Sequence, residues 1–288
     1  MSPSSPEVSA RIARLFVYPI KSCAGVELAK AQLTETGIDL DRAWMVVDAE
    51  GVFMSQREVP RMALIRPQIK HSEVVLRAPG MLALHLKIDT VEEPATVRVW
   101  DDVVPAFDMG DLAAQWFSDF LGCMARLIRF DPEHRRLSSR KWTQDVEALN
   151  QFSDGFPLLL TSEASLAELN ARLAKGGHAP VGIERFRPNI VLAGIEAHDE
   201  DRLDTIRIET GEGQVVLRPV KPCARCPIPN IDPATAQSSP EVTDTLQSYR
   251  KNDVMGGAVT FAMNAIVLEG DDLTLEVGQA VTSTWRFD

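Results

Sequence analysis

The stretch "RPVKPCARCPIPNID", Arg218–Asp232, sets two cysteines two residues apart inside a cationic, proline-rich segment. Lys221 precedes Cys223, Arg225 stands between the thiols, and Pro227 and Pro229 follow Cys226. The residues themselves allow three chemistries. Two thiols can be packed as small apolar groups. They can form a dithiol redox pair, although such pairs usually sit at a helix N-terminus, and the alternation of prolines after Cys226 cannot supply a regular helix. One thiolate can instead ligate a soft metal, with Lys221 and Arg225 favouring the deprotonated sulfur and the prolines holding the loop at small entropic cost. Iron, copper, zinc and molybdenum all suit sulfur, and spacing does not choose among them.

The rest of the chain narrows the setting. It has 288 residues, 45% hydrophobic and 25% charged, enough for two packed units or one large one. A net charge of -11 argues against a general nucleic-acid binder, which needs Lys and Arg spread over a broad face, but leaves room for a small basic pocket. The first residues, "MSPSSPEVSARIARLFVYPIKS", lack the apolar core of a signal peptide and begin as a flexible polar end, residues 1–10. No apolar run approaches the ~20 residues of a membrane span. A cytoplasmic address is expected, without a membrane partner, in a compartment where thiols stay reduced. Cys23 and Cys123 are isolated, so a disulfide framework is not expected. No second pair of cysteines or histidines matches the first, which disfavours structural zinc.

Short apolar or alternating runs fill the first third: "RIARLFVYPI", "AWMVVDAEGVFMSQ", "MALIRPQI", "EVVLRA", "LALHLKI" and "ATVRVWDDVVPAF". Their spacing fits a barrel or sandwich, with a hairpin turn at Asp48–Gly51. In "DLAAQWFSDFLG" Leu112, Ala113, Trp116, Phe117, Phe120 and Leu121 share a helical face that Gly122 can end. The charged residues 130–150 show no period and read as a mobile connection. A helix in "SEASLAELNARLAKGG" is capped by Thr161 or Ser162 and turns Leu166, Leu169 and Leu173 to the core. Strands return in "PNIVLAG", "TIRIET", "QVVLRPV" and "AVTFAMNAIVL", with a short helix in "PEVTDTLQSYRK" before the last. Arg187 precedes Pro188, which favours an extended backbone there.

Taken with "LFVYPIKSCAGVEL", "FSDGFPLLLTSEASLAELN" and "RFRPNIVL", the segment "VKPCARCPIPNIDPATA" resembles the MOSC-domain molybdenum proteins. The likeness is strongest to the group that includes the mitochondrial amidoxime-reducing component and bacterial N-hydroxy-compound reductases, and runs from about residue 11 to about residue 285. It implies an α+β, β-rich fold in which an N-terminal β-barrel-like domain, 11–125, packs on a MOSC β-barrel, 126–288, with a few peripheral helices.

The resemblance also implies a chemistry. Cys226 would be the protein ligand to molybdenum in a molybdenum-pterin cofactor. Lys21 and Ser22 of "YPIKS", Arg42 of "DRAW", Ser153, Asp154 and Gly155 of "FSDG", and Arg187 and Asn189 of "FRPN" fall on positions that hold this cofactor, with Asn264 of "FAMN" near a further contact. Met263 stands where many relatives carry Gln. Pyridoxal phosphate binding is a further association at the level of the family. Cationic and hydroxyl side chains suit a phosphate, and a small residue such as Gly155 lets a ligand approach the backbone. The implied activity is reduction of N-hydroxylated small molecules, N–OH to N–H. The sequence has no G-x-G-x-x-G fingerprint and no cysteine after Cys226, so electrons are expected from a separate ferredoxin-, flavin- or cytochrome-type protein. The other implied role is a non-catalytic cofactor carrier or sulfur-handling module. Gln56 and Arg57 of "SQREVP" are further candidates for the substrate side.

Overall fold

Strands whose residues are buried on both faces build the centre of the molecule. The computed structural model describes residues 7–90 and 93–286. In Leu158–Ser162 the odd and even positions enter two different apolar clusters. Leu158 and Leu160 meet Ile12, Leu15, Ile190, Leu192 and Leu217 on the inside. Leu159 instead meets Leu169, Leu173, Phe186 and Phe261 on the outside, where helices cover the sheet. Such two-sided burial gives a continuous apolar run in place of an alternating one, which is why "FPLLL" and "IVLA" read as they do.

Leu158–Ser162 lies parallel to Ile190–Ala193, which pairs antiparallel with Glu7–Val17. Ala280–Thr284, Ile206–Glu209, Gln214–Ala224 and Ala258–Glu269 follow in that order. Ala258–Glu269 then pairs back onto Leu158–Ser162, closing a barrel of seven strands among the described residues. Closure removes the exposed sheet edges that would invite pairing with other chains.

The N-terminal part is organised around the helix Asp111–Leu121. A four-stranded sheet orders Trp44–Val47, Arg126–Phe130, Asp102–Asp108 and Glu93–Val99. A three-stranded sheet orders Arg66–Ile69, Glu73–Arg77 and Leu84–Lys87. Phe117 and Phe120 of the helix fill the space between Trp44, Val46, Val74 and Leu76. Burying each of these rings contributes about 2–3 kcal/mol.

Several expectations are corrected. Residues 7–10, assigned to a flexible end, pair with Thr284, Ser283, Thr282 and Val281 as part of Glu7–Val17, whereas residues 1–6 lie outside the described residues. Strand Arg126–Phe130 belongs to the N-terminal sheet, and Thr274–Glu276 pairs with Lys30–Thr34, so a line at 125/126 does not separate the sheets. Leu112 is 77% exposed. Five residues from Phe117, it lies about 140° round the helix and outside the buried arc. The stretch 130–150 is fixed, not mobile. Arg136, only 7% exposed, donates to Asn150 Oδ1 at 2.7 Å, to the carbonyls of Gln151 and Ser153 at 2.6 and 2.8 Å, and to Asp102 at 2.9 Å.

Candidate active site

Prolines shape the end of the strand that carries the cysteines. Gln214–Ala224 pairs with Ala258–Glu269, and its register shifts between Pro219 and Lys221 and again between Pro222 and Ala224. A proline has no N–H for the ladder, so bulges form there and re-aim the residues beyond. After Ala224 the chain leaves the sheet, and a short 3-10 turn at Ile228–Asn230 follows instead of a helix. The dithiol reading therefore lacks the helix dipole it would use.

Cys223 and Cys226 are half-buried and line one cleft. Lys21, Ser22 and Arg42 line it from the N-terminal segments, Ser153 and Asp154 from the loop that Arg136 braces, and Arg187, Asn189 and Asn264 from the barrel strands and their connections. Of the positions that the resemblance assigns to the cofactor, Gly155 alone does not line it, and a Cβ built there would meet nothing within 4 Å. Asn264 is held between two strands, opposite Leu159 on one side and Lys221 on the other, and donates to the Lys221 carbonyl at 3.2 Å. Met263 is fully buried and takes no part in the wall.

The cations are set by strained backbone. Ser22, Arg42 and Arg187 have φ of 66°, 52° and 58°. Residues with side chains adopt this left-handed region only when their surroundings impose it, and such strain gathers at functional sites. Arg187 is thus not extended as Pro188 suggests. It ends the 3-10 turn Ile183–Phe186, its N–H bonded to the Glu184 carbonyl at 3.2 Å. Its guanidinium donates to the Cys23 carbonyl at 2.5 Å and stacks 4.3 Å from the Tyr18 ring, with Arg42 4.5 Å from the same ring. Burial pulls the Arg187 guanidinium down to about 10, and the positive charge of Arg42 adds to this. It remains charged at neutral pH. Its Nη2 is buried with no hydrogen-bond partner among the described residues.

Arg42 is tied more fully, to Asp41, to Asn189 Oδ1 at 3.3 Å and to the Arg187 carbonyl at 3.1 Å. Lys21 donates to the Phe152 carbonyl at 2.9 Å and pairs with Asp154. Burial lowers the affinity of Lys21 for its proton, and Asp154 opposes that change. Desolvation by nearby protein works against charge on Asp154, but Lys21 and the Trp100 N–H outweigh it and hold the carboxyl well below its usual range. The Asp154 side chain is 70% exposed, so water screens the outer side of this pair and favours the ionised form.

The thiol neighbourhood departs from expectation in two respects. Arg225 donates to the Cys223 sulfur at 3.0 Å, not to Cys226, and also to the Phe186 carbonyl at 3.1 Å. Lys221 turns away, toward the rings of Trp142 and Phe156 at 5.5 and 5.6 Å. Cys23 is fully buried and desolvation pushes its thiol up to about 12, so it is a packed residue and only its carbonyl faces the site. Arg57 lines the cleft, whereas Gln56 is buried and holds the Ser22 carbonyl at 2.7 Å. Two contributors carry no local signal. Arg136 acts through long-range hydrogen bonds, and Trp100 reaches Asp154 from another sheet at 3.1 Å.

The sequence matches two family descriptions in tandem, MOSC N-terminal beta barrel domain over residues 9–124 and MOSC domain over 148–282. The mitochondrial amidoxime reducing component 2 of Rattus norvegicus is 34% identical over 254 residues, 84% of this chain and 73% of that protein. The chain belongs to the MOSC-domain family. Another member, the human mitochondrial amidoxime-reducing component 1, is 35% identical over 84% of this chain and 72% of its own length. The Bos taurus molybdenum cofactor sulfurase is 31% identical over 85% of this chain but only 29% of that longer protein. No helix among the described residues of this MOSC protein is long and apolar enough to cross a membrane. Nor does any group of three or more His, Cys, Asp or Glu come together there as a metal cluster.

Proposed function

We propose that this MOSC protein is a molybdenum-cofactor-dependent reductase that converts N-hydroxylated compounds to their N–H forms, with electrons from a separate redox protein. The observation that carries the reading is the convergence on one cleft of the Cys226 thiol with three buried or half-buried cations, Lys21, Arg42 and Arg187. The similarity to proteins named for amidoxime reduction supports the same substrate class.

The residues present fit a sulfur-ligated group that bears a phosphate. Cys226 lines the cleft, and the buried Arg187 Nη2 has a donor to offer an anion. Cys226 would be the protein's metal ligand, Arg187 and Arg42 would hold the phosphate, and Ser22, Ser153, Asn189 and Asn264 would supply hydrogen bonds to the remaining polar atoms. When bound, the cofactor supplies the two-electron chemistry, and the protein supplies orientation and charge. The reaction consumes two electrons and two protons for each N–OH, leaving N–H and water. Asp154, held ionised beside Lys21, is an acceptor at neutral pH.

Replacing one sulfur tests this reading. Cys226→Ser should lower turnover of benzamidoxime with an artificial electron donor by at least about a hundredfold, as expected for loss of a metal ligand. Its circular dichroism and thermal midpoint should match the parent, because the half-buried side chain lies at the cleft and not in the core. Full turnover by the serine variant would overturn the assignment.

A further inference from the structure

A tryptophan occupies an unfavourable position beside this cleft. Val99 pairs with Asp102, so Trp100 and Asp101 form a two-residue hairpin connection, and Trp100 has φ of 54°. Such turns take Asn, Asp or Gly at left-handed positions, and a bulky aromatic residue is costly there. Trp100 is also 42% exposed, and among the described residues it is the one aromatic side chain that stands so far into solvent. Neither local conformation nor core burial accounts for it.

Its contacts all lead to the site. The indole N–H donates to Asp154 Oδ1 at 3.1 Å, the carboxylate that pairs with Lys21. The Arg57 guanidinium lies 4.7 Å from the indole centroid, and the Phe53 ring lies 4.9 Å away, tilted by 54°. Phe53 in turn faces the Lys21 ammonium at 5.3 Å. Asp154, Phe53 and Arg57 line the same cleft as Cys226. The indole is thereby held beside the cleft by three residues that line it, with the Arg57 cation packed against the ring.

We propose that Trp100, framed by Phe53 and Arg57, is a planar subsite that selects aromatic N-hydroxylated substrates over aliphatic ones. This rests on the reductase reading and adds the substrate class. An aryl group carrying the N–OH function gains from stacking on the indole, whereas a short alkyl group has no π-face to offer. The preference arises because the pre-ordered ring loses little freedom when the substrate settles on it.

The loaded enzyme and its Trp100→Leu and Trp100→Phe variants should be assayed with benzamidoxime and acetamidoxime, alongside molybdenum content and calorimetric titration with benzamidine and acetamidine. Trp100→Leu is expected to lower the benzamidoxime-to-acetamidoxime ratio of kcat/KM by about fivefold, mostly through KM, and to weaken benzamidine more than acetamidine. Trp100→Phe, which keeps a ring but loses the N–H, should restore most of the ratio. An unchanged ratio in Trp100→Leu overturns the proposal. A phenylalanine variant that behaves like the leucine one also overturns it, since the indole would then act through Asp154. Loss of molybdenum from Trp100→Leu would assign the ring to the cofactor instead. If the molybdenum-loaded parent reduces neither amidoxime, the reductase reading fails, and the amidine titrations still decide whether the subsite exists.

Discussion

Arg187 concentrates the physical problem of the site in one side chain. It is buried, left-handed in its backbone, stacked on Tyr18 and placed beside a second guanidinium, and one of its donors has no partner. Two like charges at close range cost energy that an anion between them would return. Arg42 spends its donors on Asp41, Asn189 and the Arg187 carbonyl, leaving Arg187 as the group with capacity to spare. A lysine would keep the charge but lose the planar fork that meets two oxygens at once. Arg187→Lys should therefore weaken cofactor retention by about tenfold, a loss typical of a charge-assisted hydrogen bond. Molybdenum per chain after gel filtration reads this directly. Parental stoichiometry in the variant would place the anion on other residues.

The elements that carry the site differ in how openly the sequence announces them. Helix Glu163–Lys175 was legible because period, cap and dipole agree: Leu169 and Leu173 are buried, Glu163 sits in the first turn, and the Ser162 hydroxyl accepts from the Ser165 N–H at 3.0 Å. The hairpin at Asp48–Gly51 was legible too, since Asp48 Oδ1 takes the Glu50 and Val52 N–H groups and Gly51 supplies a φ of 74°. The brace from residues 130–150 was not, because Arg136 earns its place by reaching carbonyls across a loop, and no local period encodes that. Trp100 escaped for a related reason: its turn chemistry is wrong for a hairpin, and only tertiary contacts reveal its use. Ser162 also donates to the buried carboxylate of Glu200 at 3.0 Å, which further accepts from Thr161 and Ser165. Ser162→Ala removes a cap and one of three hydroxyl donors to that carboxylate. It should cost about 1–2 kcal/mol in urea unfolding, and a change below about 0.5 kcal/mol would show that water replaces both.

Across the whole molecule, strand exchange between the two ends makes the cleft possible. Glu7–Val17 runs through the large barrel, and the residues just beyond it, Lys21 and Ser22, enter the site, while Thr274–Glu276 returns to the N-terminal segments. The net charge of -11 coexists with a positive cleft because its cations are gathered by topology rather than by sequence. The motifs named the residues, and the strand order that unites them was beyond any local pattern. Global stability carries one further consequence, on the barrel's outer face. His198 packs 5.6 Å from the Tyr249 ring and 5.9 Å from Phe261, with both ring nitrogens lacking partners among the described residues. Burial, aided by Arg250, lowers its pKa to about 4. In the unfolded chain a histidine titrates near about 6.5, so the unfolded state takes the proton first as pH falls. The contribution is complete above about pH 6.5 and is lost progressively between there and about pH 4. Nearby Glu200 and Asp201, whose carboxyls burial raises, act with the opposite sign. A comparison with His198→Asn isolates the histidine, because asparagine tolerates the left-handed φ of 66° and does not titrate. Between about pH 7.5 and 5.5 the parent should lose about 1 kcal/mol more than the variant in urea unfolding, whatever constant offset the lost ring contacts impose. Parallel curves for the two proteins would mean that His198 is protonated as readily in the folded state as in the unfolded one.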